Sequence, residues 1–493
     1  MERIVESPIA CRLARGAFWG LAGALITRGL QLLSVIIVAR TLGIVGFGEF
    51  GVLQNTISMG GAVSGLGLGL TATKYVAEYR NADKARAGRM RALSSAAAWI
   101  ASGIAAVTVF IISPWLSKTF LAAPHLSSAL RIGACLLFLS SVNGAQMGVL
   151  AGFEAFKSIA RISLWSGVSS LPLVAGGVYL WGLHGALWGL VVSTGIAWAL
   201  NHIAIRQECT RFGVPYTYNN CLSEKAVLWK FALPSALNGA MMGPVIWLTS
   251  ALLVNQPHGY AEMGVYNAVF RVKQIPEMIL SMIAAPILPI LSDQLSNRNY
   301  DGISKTLKYA SHVSLICLVP ASLALIGVPQ LAFLPFGRDF QANTAVVQLL
   351  MLQSMMVGIF FPFGQLIVSM GRMWFGWVYN LLFGLCLILI ALVSVPAYGA
   401  AGLAGAMAVA YGVTSLGCVL FMQYYKPDLI PDIHVRQSII WALPFVLTAF
   451  ALSRCLPALY AAAGAVALAA GFSWLVIMRG SIRRPTIAGP TVK

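Results

Sequence analysis

RGAFWGLAGALITRGLQLLSVIIVAR (15–40), TLGIVGFGEF (41–50) and GVLQNTISMGGAVSGLGLGLTATK (51–74) are two apolar runs joined by a short hinge. The first run, 16–39, is 24 residues long and holds a single charge, Arg28. A hydrocarbon core of ~30 Å takes about 20 helical residues, so this run predicts a transmembrane helix with an arginine near its middle. The second run, 44–72, carries Gly61, Gly65 and Gly69 at i, i+4 and i+8, which predicts a bare helix face where a neighbouring backbone can lie close. The hinge has an echo: GFGEFGV (46–52) is matched by GYAEMGV (259–265), 213 residues later. The chain therefore reads as duplicated.

Composition agrees with a membrane protein. Of 493 residues, 58% are hydrophobic and 10% charged, with mean hydropathy +0.80, whereas soluble domains carry about 25% charged residues. The net charge of +18 is not accompanied by a basic domain or a nucleic-acid-binding motif, so no nucleic-acid partner is expected and the charge reports topology. The first apolar run is far longer than the 7–15 residues of a signal-peptide core and is kept as a helix. Eight scattered cysteines form no CxxC pair and read as packing residues. Neither HExxH nor GxxxxGK[ST] occurs, so no metal, no other cofactor and no ATP hydrolysis are expected.

Fourteen spans are predicted: 17–39, 44–72, 92–112, 127–150, 162–181, 184–204, 231–254, 263–291, 309–330, 344–369, 374–395, 400–422, 438–453 and 458–478. An even count puts both termini on one side. With this assignment 25 of the 33 Lys and Arg fall on the side of the termini and five on the other, which places the N- and C-termini in the cytoplasm. Two further repeats support the duplication: Trp181-Gly182 with Gly185 echoes Tyr398-Gly399 with Gly402, and Gly152-Phe153 with Phe156 echoes Gly371-Arg372 with Phe375. Six spans per repeat give two lobes of the same orientation, related by a pseudo-two-fold axis along the membrane normal with a cleft between them. The predicted organisation is a cytoplasmic tail (1–15), an N-terminal lobe (16–205), a cytoplasmic linker (206–230), a C-terminal lobe (231–423), an appended helix pair (424–479) and a cytoplasmic tail (480–493). The class is all-α polytopic membrane protein.

Three cations lie deep inside spans, Arg28 in the first and Arg271 and Lys273 in the eighth. Each costs ~2.5–3.5 kcal/mol at a helix centre, so such groups are turned toward a wet cavity or a partner. One reading places all three on a common central cavity suited to an anionic group. The other pairs Lys273 with Glu277 at i+4 and lets Arg271 snorkel to the surface. Amides accompany the cations: Gln31, Asn55, Asn143, Gln146, Asn238 and Gln274 are candidates for glycan or cavity contacts, and the same groups can bond helix to helix. Glu277 is the one acid deep in a span and is a candidate for ion coupling or for the pair with Lys273. Glu49 and Glu262 hold equivalent hinge positions and are read as helix N-terminal caps.

ARTLGIVGFGEFGV (39–52), the glycine-rich second span, TKYVAEYR (73–80) and the 6+6+2 plan resemble the polysaccharide-export flippases of the MOP superfamily, the Wzx-type O-antigen and exopolysaccharide transporters. The resemblance covers essentially the whole chain and implies the MOP flippase fold. It further implies a multi-pass protein of the bacterial inner membrane that moves an undecaprenyl-pyrophosphate-linked oligosaccharide from the cytoplasmic to the outer leaflet by alternating access. Arg28, Arg271 and Lys273 would bind the pyrophosphate in a cationic lumen, and membrane lipids and polysaccharide polymerase or export machinery would be the partners. Other members of the superfamily are weighed against this. Multidrug MATE exporters characteristically carry acidic residues in their cation-handling lobes, and the first span here has none. Lipid II flippases share the fourteen spans, but their early RD…DAF-like signature is missing from 27–52. A membrane-embedded enzyme would need an external catalytic loop, and the predicted external loops are short, so no enzymatic activity is expected. A non-transporting assembly subunit would leave the three intramembrane cations unexplained.

Overall fold

The computed structural model describes residues 8–65, 67–232, 240–337, 339–340, 343–371 and 373–425, and beyond them 444, 448, 464 and 467–473. Among the described residues the chain is almost entirely helical. In order, the helices are α1 (Pro8–Ser64), α2 (Leu68–Tyr79), α3 (Lys84–Thr119), α4 (Ser127–Gly152), α5 (Phe156–Phe212), α6 (Met242–Val254), α7 (Gly259–Ser296), α8 (Tyr300–Gly327), α9 (Gln330–Phe333), α10 (Thr344–Ser369) and α11 (Met373–Tyr425). Among the described residues, seven helices are long and apolar enough to cross a membrane. Of the spans predicted at 438–453 and 458–478, only residues 444, 448, 464 and 467–473 are among those described. The chain divides into two compact units, Met1–Asn267 and Ala268–Lys493.

Three of the long helices are bent pairs. At 1.5 Å per residue a straight helix of 57 residues would run ~85 Å, far beyond one hydrocarbon core. α1 breaks at Gly43 (φ 71, ψ −175), α5 at Trp181 and Gly182, and α11 at Gly399. These breaks fall at or beside the predicted connections between spans 17–39 and 44–72, 162–181 and 184–204, and 374–395 and 400–422. Gly182 (φ 56, ψ −133) and Gly399 (φ 55, ψ −131) share one conformation, in a region that a Cβ makes very costly. The contact below the break is repeated as well. A Cβ on Gly185 would run into the carbonyl of Gly177, and one on Gly402 into the carbonyl of Ser394. The spacings of 217 residues match in all three positions, so the duplication proposed from weak sequence echoes is repeated in backbone geometry.

The second span departs from expectation. α1 stops at Ser64 and α2 starts at Leu68, with Gly67 left-handed between them (φ 60, ψ 14). Gly65, Gly67 and Gly69 each cost a helix about 1 kcal/mol relative to alanine, and Gly67 enters the left-handed region without penalty. The glycine series thus does not lie on one continuous face. Beyond the break it does what small residues predict: Gly69 and Gly148 place α2 and α4 in backbone contact, and Thr73 Oγ1 donates to Gly148 O at 3.0 Å.

In the first unit α1 packs on α5, and α4 on α2, α3 and α5. One end of this bundle holds an apolar core that includes Val76, Val149, Phe153, Ile162, Ile205 and Val214. α6 lies on the second arm of α1, where Trp247 Nε1 donates to Thr56 Oγ1 (2.9 Å) and Asn55 Nδ2 to Ser250 Oγ (3.0 Å). The two echoing hinge stretches meet. A Cβ on Gly48 would strike the carbonyl of Tyr260, and a Cβ on Gly264 the carbonyl of Ile44. In the second unit α10 packs on α8 and α11, with Gly358 against Leu318.

Gly182→Ala and Gly399→Ala should each destabilise the protein by about 1–3 kcal/mol, the cost of a strained left-handed residue, seen as a lower thermal midpoint in detergent. Gly176→Ala, at a helical position where an added Cβ meets nothing within 4 Å, should leave the midpoint unchanged or raise it.

Candidate functional site

The expected site residues fall into two groups, one in each compact unit. In the first unit Arg28 and Gln31 lie on the first arm of α1, one turn apart, and both are exposed. The arm is fixed beside them: Thr27 packs on Gly167 of α5, whose missing side chain leaves room for the α1 backbone (an added Cβ would sit 3.3 Å from Thr27 Cα). α1 thus presses on α5 next to Arg28 while the guanidinium stays open to its surroundings. A bare guanidinium facing lipid there would carry the midplane cost given above, so water or an anion is the environment that suits it.

The amides are more committed. Asn55 is bonded to Ser250, as described. Asn143 Nδ2 donates to the Thr194 carbonyl at 3.0 Å, and its Oδ1 accepts from Asn201 Nδ2 at 3.2 Å, tying α4 to α5. Gln146, one turn further along α4, is 6% exposed, and no partner for its Oε1, or for the Oδ1 of Asn201, is found among the described residues. Both atoms are buried, so an internal water is the partner that suits them. Asn201 was not singled out in the sequence. It stands near the end of a span, 58 residues from Asn143, and only the fold brings them together. Asn238 lies outside the described residues.

In the second unit, α7 carries Arg271, half-buried, Gln274, exposed, and Lys273, which is 4% exposed. Lys273 Nζ is 3.2 Å from Glu277 Oε1 and 5.2 Å from the Phe270 ring centre. This is the i,i+4 pair that the sequence offered as the alternative to a free cation. Glu277 has a partner in Lys273, and the lysine's charge is balanced locally.

Glu49 corrects an expectation. It lies in the second turn after the Gly43 break, and its Oε1 accepts from His125 Nε2 at 2.7 Å. It therefore ties α1 to the turn before α4 instead of capping a helix. Glu262 does lie in the first turn of α7, where a carboxylate favours the helix N-terminus. Next to Glu49, Tyr260 donates to the Leu121 carbonyl at 2.7 Å. Burial, with the Glu49 carboxylate adding to it, holds this phenol above its ordinary pKa and keeps it a donor.

This helical architecture is found in MOP-superfamily transporters. The chain superposes on a lipid II flippase, MurJ, in an inward closed conformation with a TM-score of 0.70 at 12% identity, covering 94% of this chain and 99% of that one. It also superposes on an inward-facing multidrug resistance MATE family transporter of the MOP superfamily with a TM-score of 0.66 at 15% identity, covering 84% and 98%. The family model described as polysaccharide biosynthesis protein matches residues 13–294, and the chain belongs to that family. Relatives include the EPS I polysaccharide export inner membrane protein EpsE of Ralstonia solanacearum, 22% identical over 76% of this chain and 85% of that protein. Another is the succinoglycan biosynthesis transport protein ExoT of Rhizobium meliloti (strain 1021), 23% identical over 74% and 71%.

Removing one member of a buried ion pair leaves a charge uncompensated and costs about 3–5 kcal/mol. Glu277→Ala should therefore lower the thermal midpoint strongly, and Lys273→Met combined with Glu277→Leu should recover most of the loss. Full recovery of both stability and transport in the double variant would assign the pair to packing alone.

Proposed function

We propose that this protein exports polysaccharide precursors as a flippase, moving an undecaprenyl-pyrophosphate-linked oligosaccharide from the cytoplasmic to the outer leaflet of a bacterial inner membrane without a catalytic step. The observation that carries the reading is Arg28: an exposed guanidinium twelve residues into the first apolar run, or ~18 Å of helix, in a chain of the polysaccharide biosynthesis family. Similarity to proteins named for polysaccharide export and succinoglycan transport supports the cargo class. The proposed frame is fourteen spans, two six-span lobes with a C-terminal helix pair, and both termini cytoplasmic.

Physics favours such a site. A pyrophosphate cannot enter hydrocarbon unpaired. Arg28, with Gln31 one turn away on the same arm of α1, replaces part of its hydration. The prenyl tail stays in lipid. Outward transfer of two negative charges across the whole field is favoured by ~4.6 kcal/mol per 100 mV, interior negative, so the membrane potential supplies direction. Alternating access then requires the seam of Gly48, Gly264, Asn55 and Ser250 to part on the outer side when cargo leaves.

Proteoliposomes loaded with a short fluorescent prenyl-pyrophosphate glycan test the cargo. The native protein should expose the glycan to an external reagent, and Arg28→Ala should lower the rate at least tenfold at equal protein level. Unchanged flipping in that variant would return Arg28 to structure. No flipping by folded native protein would favour a lipid II flippase, a MATE-type exporter or an assembly subunit. In a background lacking the native cysteines, Asn55→Cys with Ser250→Cys should cross-link on oxidation and stop flipping, and reductant should restore it.

A further inference from the structure

Arg86, Arg89 and Arg91 stand at the start of α3, in the turns just before its apolar run begins at Ala92. Asp83 caps the helix by accepting from the Arg86 N–H at 2.9 Å. The segment after α5 folds over these arginines. Gly213 ends α5 in the left-handed region (φ 65), and Pro215 then lies on Gly88, where an added Cβ would come within 2.7 Å of the proline carbonyl. Arg91 is 1% exposed, donates to Thr217 O at 3.0 Å, and stacks on Tyr216 and Tyr218 at 4.0 and 5.0 Å. Glu224 accepts from Arg86 at 3.1 and 3.3 Å and from Arg89 at 3.2 Å. Arg86 and Arg89 thus share one carboxylate while Arg91 is held by a carbonyl and two rings, so the cluster keeps a surplus of positive charge.

Beside it is a cavity of about 450 Å³ lined by Arg89, Tyr218, Asn220, Cys221, Leu222 and Ser223. Its edge is apolar and open: Leu222 is 70% exposed and Tyr218 47%. An exposed leucine and tyrosine lining a cationic cavity are poorly placed in water. At the depth where α3 enters hydrocarbon they suit the membrane interface, where tyrosine and tryptophan settle at headgroup level. Basic pockets at that depth attract anionic lipid.

We propose that this cavity binds the headgroup of an anionic phospholipid in the leaflet where α3 begins. Arg89 meets the phosphate, Asn220 and Ser223 hydrogen-bond the headgroup hydroxyls, and Leu222 and Tyr218 lie against the upper acyl chains. Free phosphate would use the arginine but not the apolar edge. The site is contained in one compact unit and involves neither Arg28 nor Arg271, so it stands apart from the cargo proposed above.

The test is native mass spectrometry of the delipidated full chain, titrated separately with palmitoyl-oleoyl phosphatidylglycerol, the matching phosphatidylethanolamine, and inorganic phosphate. One phosphatidylglycerol should bind about tenfold more tightly than phosphatidylethanolamine, and Arg89→Gln should weaken it about fivefold, with Arg89→Lys recovering most of the affinity. Leu222→Glu, which adds a carboxylate at an exposed edge position, should weaken it similarly at an unchanged melting temperature and decides the matter should Arg89→Gln fail to fold. Equal affinity for the two lipids, affinity unaffected by Leu222→Glu, or inorganic phosphate competing at the same concentration as phosphatidylglycerol would overturn the proposal.

Discussion

Inside hydrocarbon every backbone N–H and C=O must be bonded within its own helix, because no water is there to replace the bond. Apolar side chains gain little from one another in such a solvent, so helices associate where their backbones come close and where polar side chains cross between them. The first unit is held in both ways. Glycines bring α2 onto α4 and the two arms of α5 onto each other, while Asn55, Asn143, Trp247 and Thr73 bridge between helices. The helix breaks obey the same constraint. They fall on residues able to turn sharply, and the turn at Gly182 is reproduced in Gly399 to within two degrees in both dihedrals.

Much of this was legible in the residues. The apolar runs announced helices, and the hinge glycines announced where long helices bend. The Lys273–Glu277 pair could be read from its spacing because both members share one helix. What escaped the sequence depended on distance along the chain or on local choice. Asn201 meets Asn143 only after α4 and α5 pack. The stop at Ser64 was hidden because glycine serves equally as a packing surface and as a break, and hydropathy is the same for either. Glu49 looked like a cap from its place in a repeat, yet His125, 76 residues away, takes its carboxylate. The segment 213–228 read as a plain connection. Its arginine and tyrosine contacts with α3 involve side chains more than 100 residues apart.

The charges sort by company. Lys273 is buried against a carboxylate, Arg91 is buried between rings and a carbonyl, and Arg86 and Arg89 share Glu224. Arg28 lies deep in an apolar run and is nevertheless exposed. Burial with a partner serves cohesion, whereas exposure of a cation so far from the helix end has a clear use only if something anionic or aqueous comes to it. That contrast separates the residues that hold the protein together from the residue on which its work is proposed to depend.

The backbone contact between Gly177 and Gly185 has a mechanical consequence. Two helices whose carbonyls nest against each other's glycines cannot slide along one another by a fraction of a turn without collision. The two arms of α5 are therefore a stiff strut, and in α11 the Ser394 carbonyl fits against Gly402 while Ser394 Oγ donates to Gly402 O at 3.0 Å. Compliance must reside where such nesting is absent and the helical ladder is already open, and the interruption at Gly67 is such a place. Deformation of the first unit would then be concentrated at a joint of a few residues, with the second arm of α1 and α2 on either side turning as whole pieces.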